Sequence, residues 1–209
     1  MESVHKHLLE GAGFLPDYVE SHKSVIYIVE SELRIVYCNA YWDEFALAND
    51  GEKLLRAHIR GECVLDVIPD PLKSYYRDGF RGVQETGNVW EHDFECSSPK
   101  QFRQFHMRVT RLAANHTLVE NSLRVERQHG AERPAMAPSE HVYATVDGTV
   151  TMCMHCRRTK RATEFPERLN ELADMVWDWV PSFVEKPPNC VSHGLCRMCY
   201  PEFFRYAKS

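Results

Sequence analysis

Apolar positions along the chain change their spacing several times, and each change marks an element. In residues 1–20, Val4, Leu8 and Leu9 followed by Phe14-Leu15-Pro16 predict a short helix ending near Gly11 or Gly13. A helix of that length is unstable alone, so it must pack on the next domain or on a second copy of itself. From Ser24 the pattern turns to strands. Val25-Ile-Tyr-Ile-Val29 and Leu33-Arg-Ile-Val-Tyr-Cys38 are β-branched and aromatic, with Ser31-Glu32 between them. Asn39 then caps a predicted helix from Ala40 to about Ala48. Asp70-Pro71 reads as an N-cap carboxylate with proline at the first helical position. The helix it opens carries Leu72, Tyr76, Phe80 and Val83 on one face and stops at Gly87-Asn88.

Three alternating segments follow. Trp90, His92, Phe94 and Cys96 alternate with Val89, Glu91, Asp93 and Glu95; Phe105, Met107 and Val109 alternate with polar neighbours; the third segment runs from Thr117 to Val125. The acidic positions of the first are expected to pair across strands with Arg103 and Arg108. Residues 129–140, Pro/Ala-rich and without periodicity, read as a linker. Tyr143 to Met152, with Asp147-Gly148 at its centre, predicts a hairpin. Phe165, Leu169, Leu172 and Val176 predict an amphipathic helix starting near Pro166, broken at Val180-Pro181. The fold class is therefore α+β: a five-stranded antiparallel sheet with helices on one face, then a small hairpin/helix module.

Composition narrows the function classes. Hydrophobic residues at 44% can build a real core, and a net charge of -5 with pI near 6.1 argues against a general nucleic-acid surface. No apolar run has the length of a membrane span, and the N-terminus lacks a secretion signal, so a cytoplasmic protein is expected. In that compartment the eight cysteines are metal ligands or free thiols rather than disulfides. No GxSxG, GxxxxGK[ST] or HExxH occurs, so no enzyme activity is expected.

The strongest chemical signal is Cys153-Met-His-Cys156 and, thirty-nine residues later, Cys196-Arg-Met-Cys199. Two such knuckles present four thiolates to one tetrahedral ion, and a closed four-cysteine zinc site is structural rather than catalytic. His193, three residues before Cys196, is an alternate ligand or a neighbour of the knuckle. His155 is expected to point outward. The same thiolates could hold iron–sulfur, which opens a second reading of the chain as a thiol or iron–sulfur redox protein. Arg157, Arg158, Lys160 and Arg161 read as compensation of a zinc–thiolate charge in preference to a phosphate contact.

Two resemblances add to this. Tyr27-Ile-Val-Glu-Ser-Glu-Leu-Arg-Ile-Val-Tyr-Cys-Asn39, Leu65-Asp-Val-Ile-Pro69 and Gly87 before the strands make residues 21–128 resemble a PAS sensor domain. The Cys-x-x-Cys frame, Trp177, Val184-Glu185 and Ser192-His-Gly-Leu-Cys-Arg-Met-Cys199 make residues 141–209 similar to a small module that follows PAS or receiver domains in bacterial signalling proteins. The PAS resemblance implies a ligand cavity between sheet and helices, with Tyr27, Trp42, Tyr76, Phe80, Trp90, His92, Phe94, Phe105 and Met107 as its lining. The same side chains also suit a packed core. In haem-binding PAS domains the iron ligand is commonly a histidine on the long helix. Residues 70–88 hold none, which argues against haem. The resemblances together imply a signal-sensing protein whose PAS domain binds a small ligand or mediates dimerisation and whose zinc module contacts a partner signalling protein; the N-terminal amphipathic segment makes a homodimer the default expectation.

Overall fold

The computed structural model describes residues 3–112, 115–131, 133–162 and 176–204. The expected helix over 166–176 falls almost wholly outside them. The chain divides into two compact units. The first holds residues 1–93 and 105–124, the second 94–104 and 125–209.

In the first unit α1 (Ser3–Gly11) and α2 (Pro16–Ser21) precede β1 (Val25–Val29) and β2 (Ile35–Cys38). Then come α3 (Ala40–Leu47), the single turn α4 (Arg56–Ile59), α5 (Asp70–Thr86), β3 (Trp90–Glu95), β4 (Gln101–Arg111) and β5 (Thr117–Gln128), of which residues 94–95, 101–104 and 125–128 are counted in the second unit. The five strands form one sheet in the order β2-β1-β5-β4-β3, with β1 antiparallel to both its neighbours. Its place inside the sheet, between β2 and β5, with both faces covered, explains the unbroken apolar run of β1, since all five of its residues are buried. Tyr27 meets Trp42 of α3 on one face. On the opposite face Ile26 and Ile28 share a core with Leu9 and Val19 of the two N-terminal helices. The N-terminal segment thus packs on its own sheet.

Asn39 explains how these pieces are held together. Its side chain is fully buried, accepts from the Ile26 and Trp42 N–H groups, and donates to the carbonyls of Val19, His22 and Ser24. One amide thereby caps α3 and fixes the entry to β1. Helix α5 starts one residue earlier than its sequence predicts. Pro69 occupies the cap position, and Asp70 pairs at 2.8 Å with Lys73 instead of capping. Gly87 ends the helix in the left-handed conformation, at φ 75°.

The second unit contains α6 (Glu140–Tyr143), β6 (Val150–Cys153), β7 (Thr159–Lys160), β8 (Trp177–Asp178), α7 (Pro181–Glu185), β9 (Val191–Gly194) and α8 (Tyr200–Phe204). Its sheet runs β8-β7-β6-β9. The hairpin read at Tyr143–Met152 is corrected in its first arm. Residues 140–143 form a helical turn, and only Ala144 bridges to Val150 across the Asp147-Gly148 turn. Tyr143, Val150, Met152, Val180 and Phe183 make the core of this unit. Among the described residues, no helix is long and apolar enough to cross a membrane.

Candidate metal centre

The convergence of the two knuckles follows from strand pairing. β6 and β9 run parallel, with Met152 opposite His193 and Cys153 opposite Gly194. Both strands therefore end on the same edge of the sheet, and each is followed at once by its cysteine turn. The Met154 N–H donates to the Gly194 carbonyl at 2.9 Å and extends the pairing into the first knuckle. Arg157, at φ 61°, takes the left-handed turn that leads out of it.

The structure brings Cys153, Cys156, Cys196 and Cys199 together, all buried, with their sulfurs within 4.8 Å of one another. The Cys156 and Cys196 sulfurs are 3.6 Å apart, and those of Cys196 and Cys199 are 3.5 Å apart. The edge of a zinc–thiolate tetrahedron is about 3.8 Å, so these separations fit a single ion. All four are free thiols. The four thiols share protons through their mutual contacts, which lower Cys153 and Cys196 to about 7 and push Cys199 up, so a bound cation would be needed to hold all four as thiolates. Trp177 and Leu195 pack against the group and exclude water from that side. Such a set can hold a metal ion with no open position.

The other candidates lie elsewhere. His193 is exposed on β9 and outside the four-cysteine group, and Cys190 is exposed as well. The basic run is partly accounted for by pairing. The Arg158 guanidinium lies 3.7 Å from the Cys156 sulfur, and Arg161 binds Asp178 at 2.6 Å.

Sequence reasoning missed two residues. His155 does not point outward. Its Nδ1 is 3.2 Å from the Cys199 sulfur, and its Nε2 accepts the Glu95 N–H at 3.1 Å. Arg133, in the stretch read as a linker, is 5% exposed. It pairs with Glu95 at 2.6 Å, donates to the Cys156 carbonyl and lies over the Trp179 ring. A lone arginine in a Pro/Ala-rich stretch carries no periodicity by which to find it.

In the first unit most of the expected cavity residues are packed against one another. Trp90 lies 5.8 Å from Tyr76 and 6.0 Å from Phe80, stacks with His92, and fills the space over Gly79 of α5. His92 Nδ1 meets the Tyr75 hydroxyl at 3.2 Å. Phe105 packs edge-on against Phe45, and Met107 is buried. Phe94 is counted in the second unit. Burial pushes the phenols of Tyr27 and Tyr76 well above their ordinary value, so both stay neutral. Of the expected cross-strand pairs, Arg108 approaches Glu91 at 3.8 Å, whereas Arg103 binds Glu126 of β5.

The five-stranded antiparallel sheet implied by the PAS resemblance is in place. No protein-family model matches the chain, and no curated protein does. Solved structures similar to about half of this chain include the following three. The PAS domain of the Cronobacter turicensis RpfR quorum-sensing receptor, in complex with C12:0, is 19% identical with a TM-score of 0.40, over 51% of this chain and 99% of that one. The photoactive yellow protein domain of the sensor histidine kinase Ppr from Rhodospirillum centenum is 10% identical with a TM-score of 0.38, over 56% and 97%. The PAS domain of an HTR-like protein from Haloarcula marismortui is 11% identical with a TM-score of 0.38, over 58% and 98%.

Proposed function

We propose that this chain is a cytoplasmic signal-sensing or interaction protein without catalytic turnover. Its PAS-like unit binds a small ligand or pairs with a second copy, and a structural zinc module contacts a partner signalling protein. The observation that carries the reading is the closed set of four buried cysteines in a chain that also holds a PAS-like sheet. A four-thiolate site with no free position stabilises a surface and activates no water, so the module is suited to recognition. Occupancy of the PAS-like unit would then shift the population of states offered to the partner.

Redox chemistry by the cysteines is the second reading, favoured by the lowered Cys153 and Cys196 and by the arginine beside Cys156. Against an iron–sulfur cluster stands the closeness of the sulfurs. Several irons bridged by sulfide hold their thiolates further apart than one ion does. Elemental analysis of full-length protein purified without chelator separates the readings. One zinc and no iron per chain supports the closed structural site. Iron, colour, or disulfide formation with metal loss under mild oxidant moves redox chemistry to the front.

A further inference from the structure

We infer that His155 is the outer hydrogen-bond donor of the metal centre, holding Cys199 through Nδ1–H while Glu95 fixes its tautomer. The inference rests on the metal reading above and adds to it the residues that tune the site.

A neutral imidazole has one N–H and one bare nitrogen, and the partner of one decides the state of the other. Here the partner of Nε2 is a main-chain N–H, that of Glu95, which can only donate. Nε2 is therefore the bare nitrogen and Nδ1 carries the proton. That proton faces the Cys199 sulfur at 3.2 Å, within the range of an N–H···S bond. With this assignment His155 does not ligate the ion through Nδ1, because its sulfur-facing nitrogen has no lone pair to give. The Phe203 ring, 5.3 Å away and nearly perpendicular, holds the imidazole in plane.

Glu95 itself is anchored. Its carboxylate accepts from Arg133 at 2.6 Å and from the Ser97 hydroxyl at 2.5 Å. Arg133 also donates to the Cys156 carbonyl. One acidic residue at the end of β3 thus supports both knuckles, the first through Arg133 and the second through His155. The Cys196 N–H to Cys153 sulfur contact, at 3.4 Å, and the Arg158 contact to Cys156 add donors to two further sulfurs. A centre of four thiolates around a divalent ion carries a formal charge of about -2, and donors of this kind spread that charge and slow loss of the metal.

The test uses the full chain loaded with zinc, and separately with cobalt as a spectroscopic probe. His155→Leu removes the donor. His155→Asn keeps an amide N–H where Nδ1 stood, and His155→Gln places one where Nε2 stood. His193→Ala serves as the control. Expected results are one ion per chain in the wild type and roughly ten- to a hundred-fold weaker metal retention against a competing chelator for His155→Leu. Asn should restore most of the retention, Gln should not, and His193→Ala should match the wild type. Loss of the N–H···S bond raises donation from sulfur, so the cobalt–thiolate charge-transfer band of His155→Leu should move to lower energy. Nitrogen-15 spectra should place the His155 proton on Nδ1. Wild-type retention with an unmoved band in His155→Leu, or a proton on Nε2, would overturn the inference and leave the metal reading intact. A wild-type chain that takes up neither ion would overturn both.

Discussion

At the scale of single residues, a few side chains hold positions that nothing else in the chain could fill. Asn39 satisfies two donors and three acceptors, so Asn39→Ala leaves several buried main-chain groups unpaired. A loss of about 3 kcal/mol is expected, read as a lower denaturation midpoint. Gly79 and Gly82 lie in the same helix but differ in surroundings. A Cβ on Gly79 would come within 2.5 Å of the Trp90 ring, whereas one on Gly82 meets nothing within 4 Å. Gly79→Ala should cost about 1–3 kcal/mol by overpacking. Gly82→Ala should be neutral or stabilising by up to about 1 kcal/mol. Equal effects in a thermal melt would refute the contrast. The tyrosines set the alkaline limit. Burial, aided by the Asp178 carboxylate, pushes Tyr143 up to about 12, and burial raises Tyr27 and Tyr76 as well. A phenol raised in the folded state contributes stability that is fully present below its ordinary value near 10 and is lost as pH climbs above it. Folded signal should therefore fall as pH climbs above ~10, and a circular-dichroism signal unchanged well above that pH would contradict this.

Elements were legible to different depths. Asn39 before Ala40, the apolar face of 72–83 and the Gly87 stop placed α3 and α5 to within a residue or two, because capping and periodicity are local. The alternation from Trp90 to Val125 located β3, β4 and β5 for the same reason. Partner choice was less legible. The pairing of Arg103 with Glu126 in place of a β3 carboxylate depends on which neighbour lies nearer along the ladder, which composition does not encode. The parallel register of β6 with β9 was not foreseen, since it joins segments forty residues apart with no periodic signal between them. The four cysteines could still be read, because their spacing states the chemistry whatever path the chain takes. His155 and Arg133 could not, since their roles arise only when distant segments meet. Removing Arg133 is informative for that reason. Its side chain is 4% exposed and that of Glu95 11%, so Arg133→Ala strands a carboxylate in a dry setting. A penalty of about 3–5 kcal/mol to the second unit is expected, measured by denaturant titration, and a change under 1 kcal/mol would show the pair to be dispensable.

For the whole molecule, the metal and the fold of the second unit are expected to be one equilibrium, since a site assembled from two knuckles does not exist in the unfolded chain. Chelation should raise amide exchange in β6 and β9, and also in residues 94–104, which belong to the same unit. The Cys96 and Ser98 N–H groups, bonded to the carbonyls of Arg103 and Gln101, are the reporters there. Protection unchanged at those two amides while the knuckles exchange freely would show that the hairpin end stands apart from the metal.

The makeup of that unit bears on how such a chain can be inherited. Its cysteine knuckles lie after residue 150, but Glu95, which steadies both, is encoded more than fifty codons upstream. A gene fusion that joined a foreign domain at residue 129 would carry over all four knuckle cysteines and leave Glu95 behind. The transplanted segment would keep its ligand spacing and lose the hydrogen bond that orients His155. Exchange of such modules between genes should accordingly favour partners that bring a main-chain donor and a carboxylate of their own to that spot, and recombinants without them should pass on a looser four-cysteine cluster.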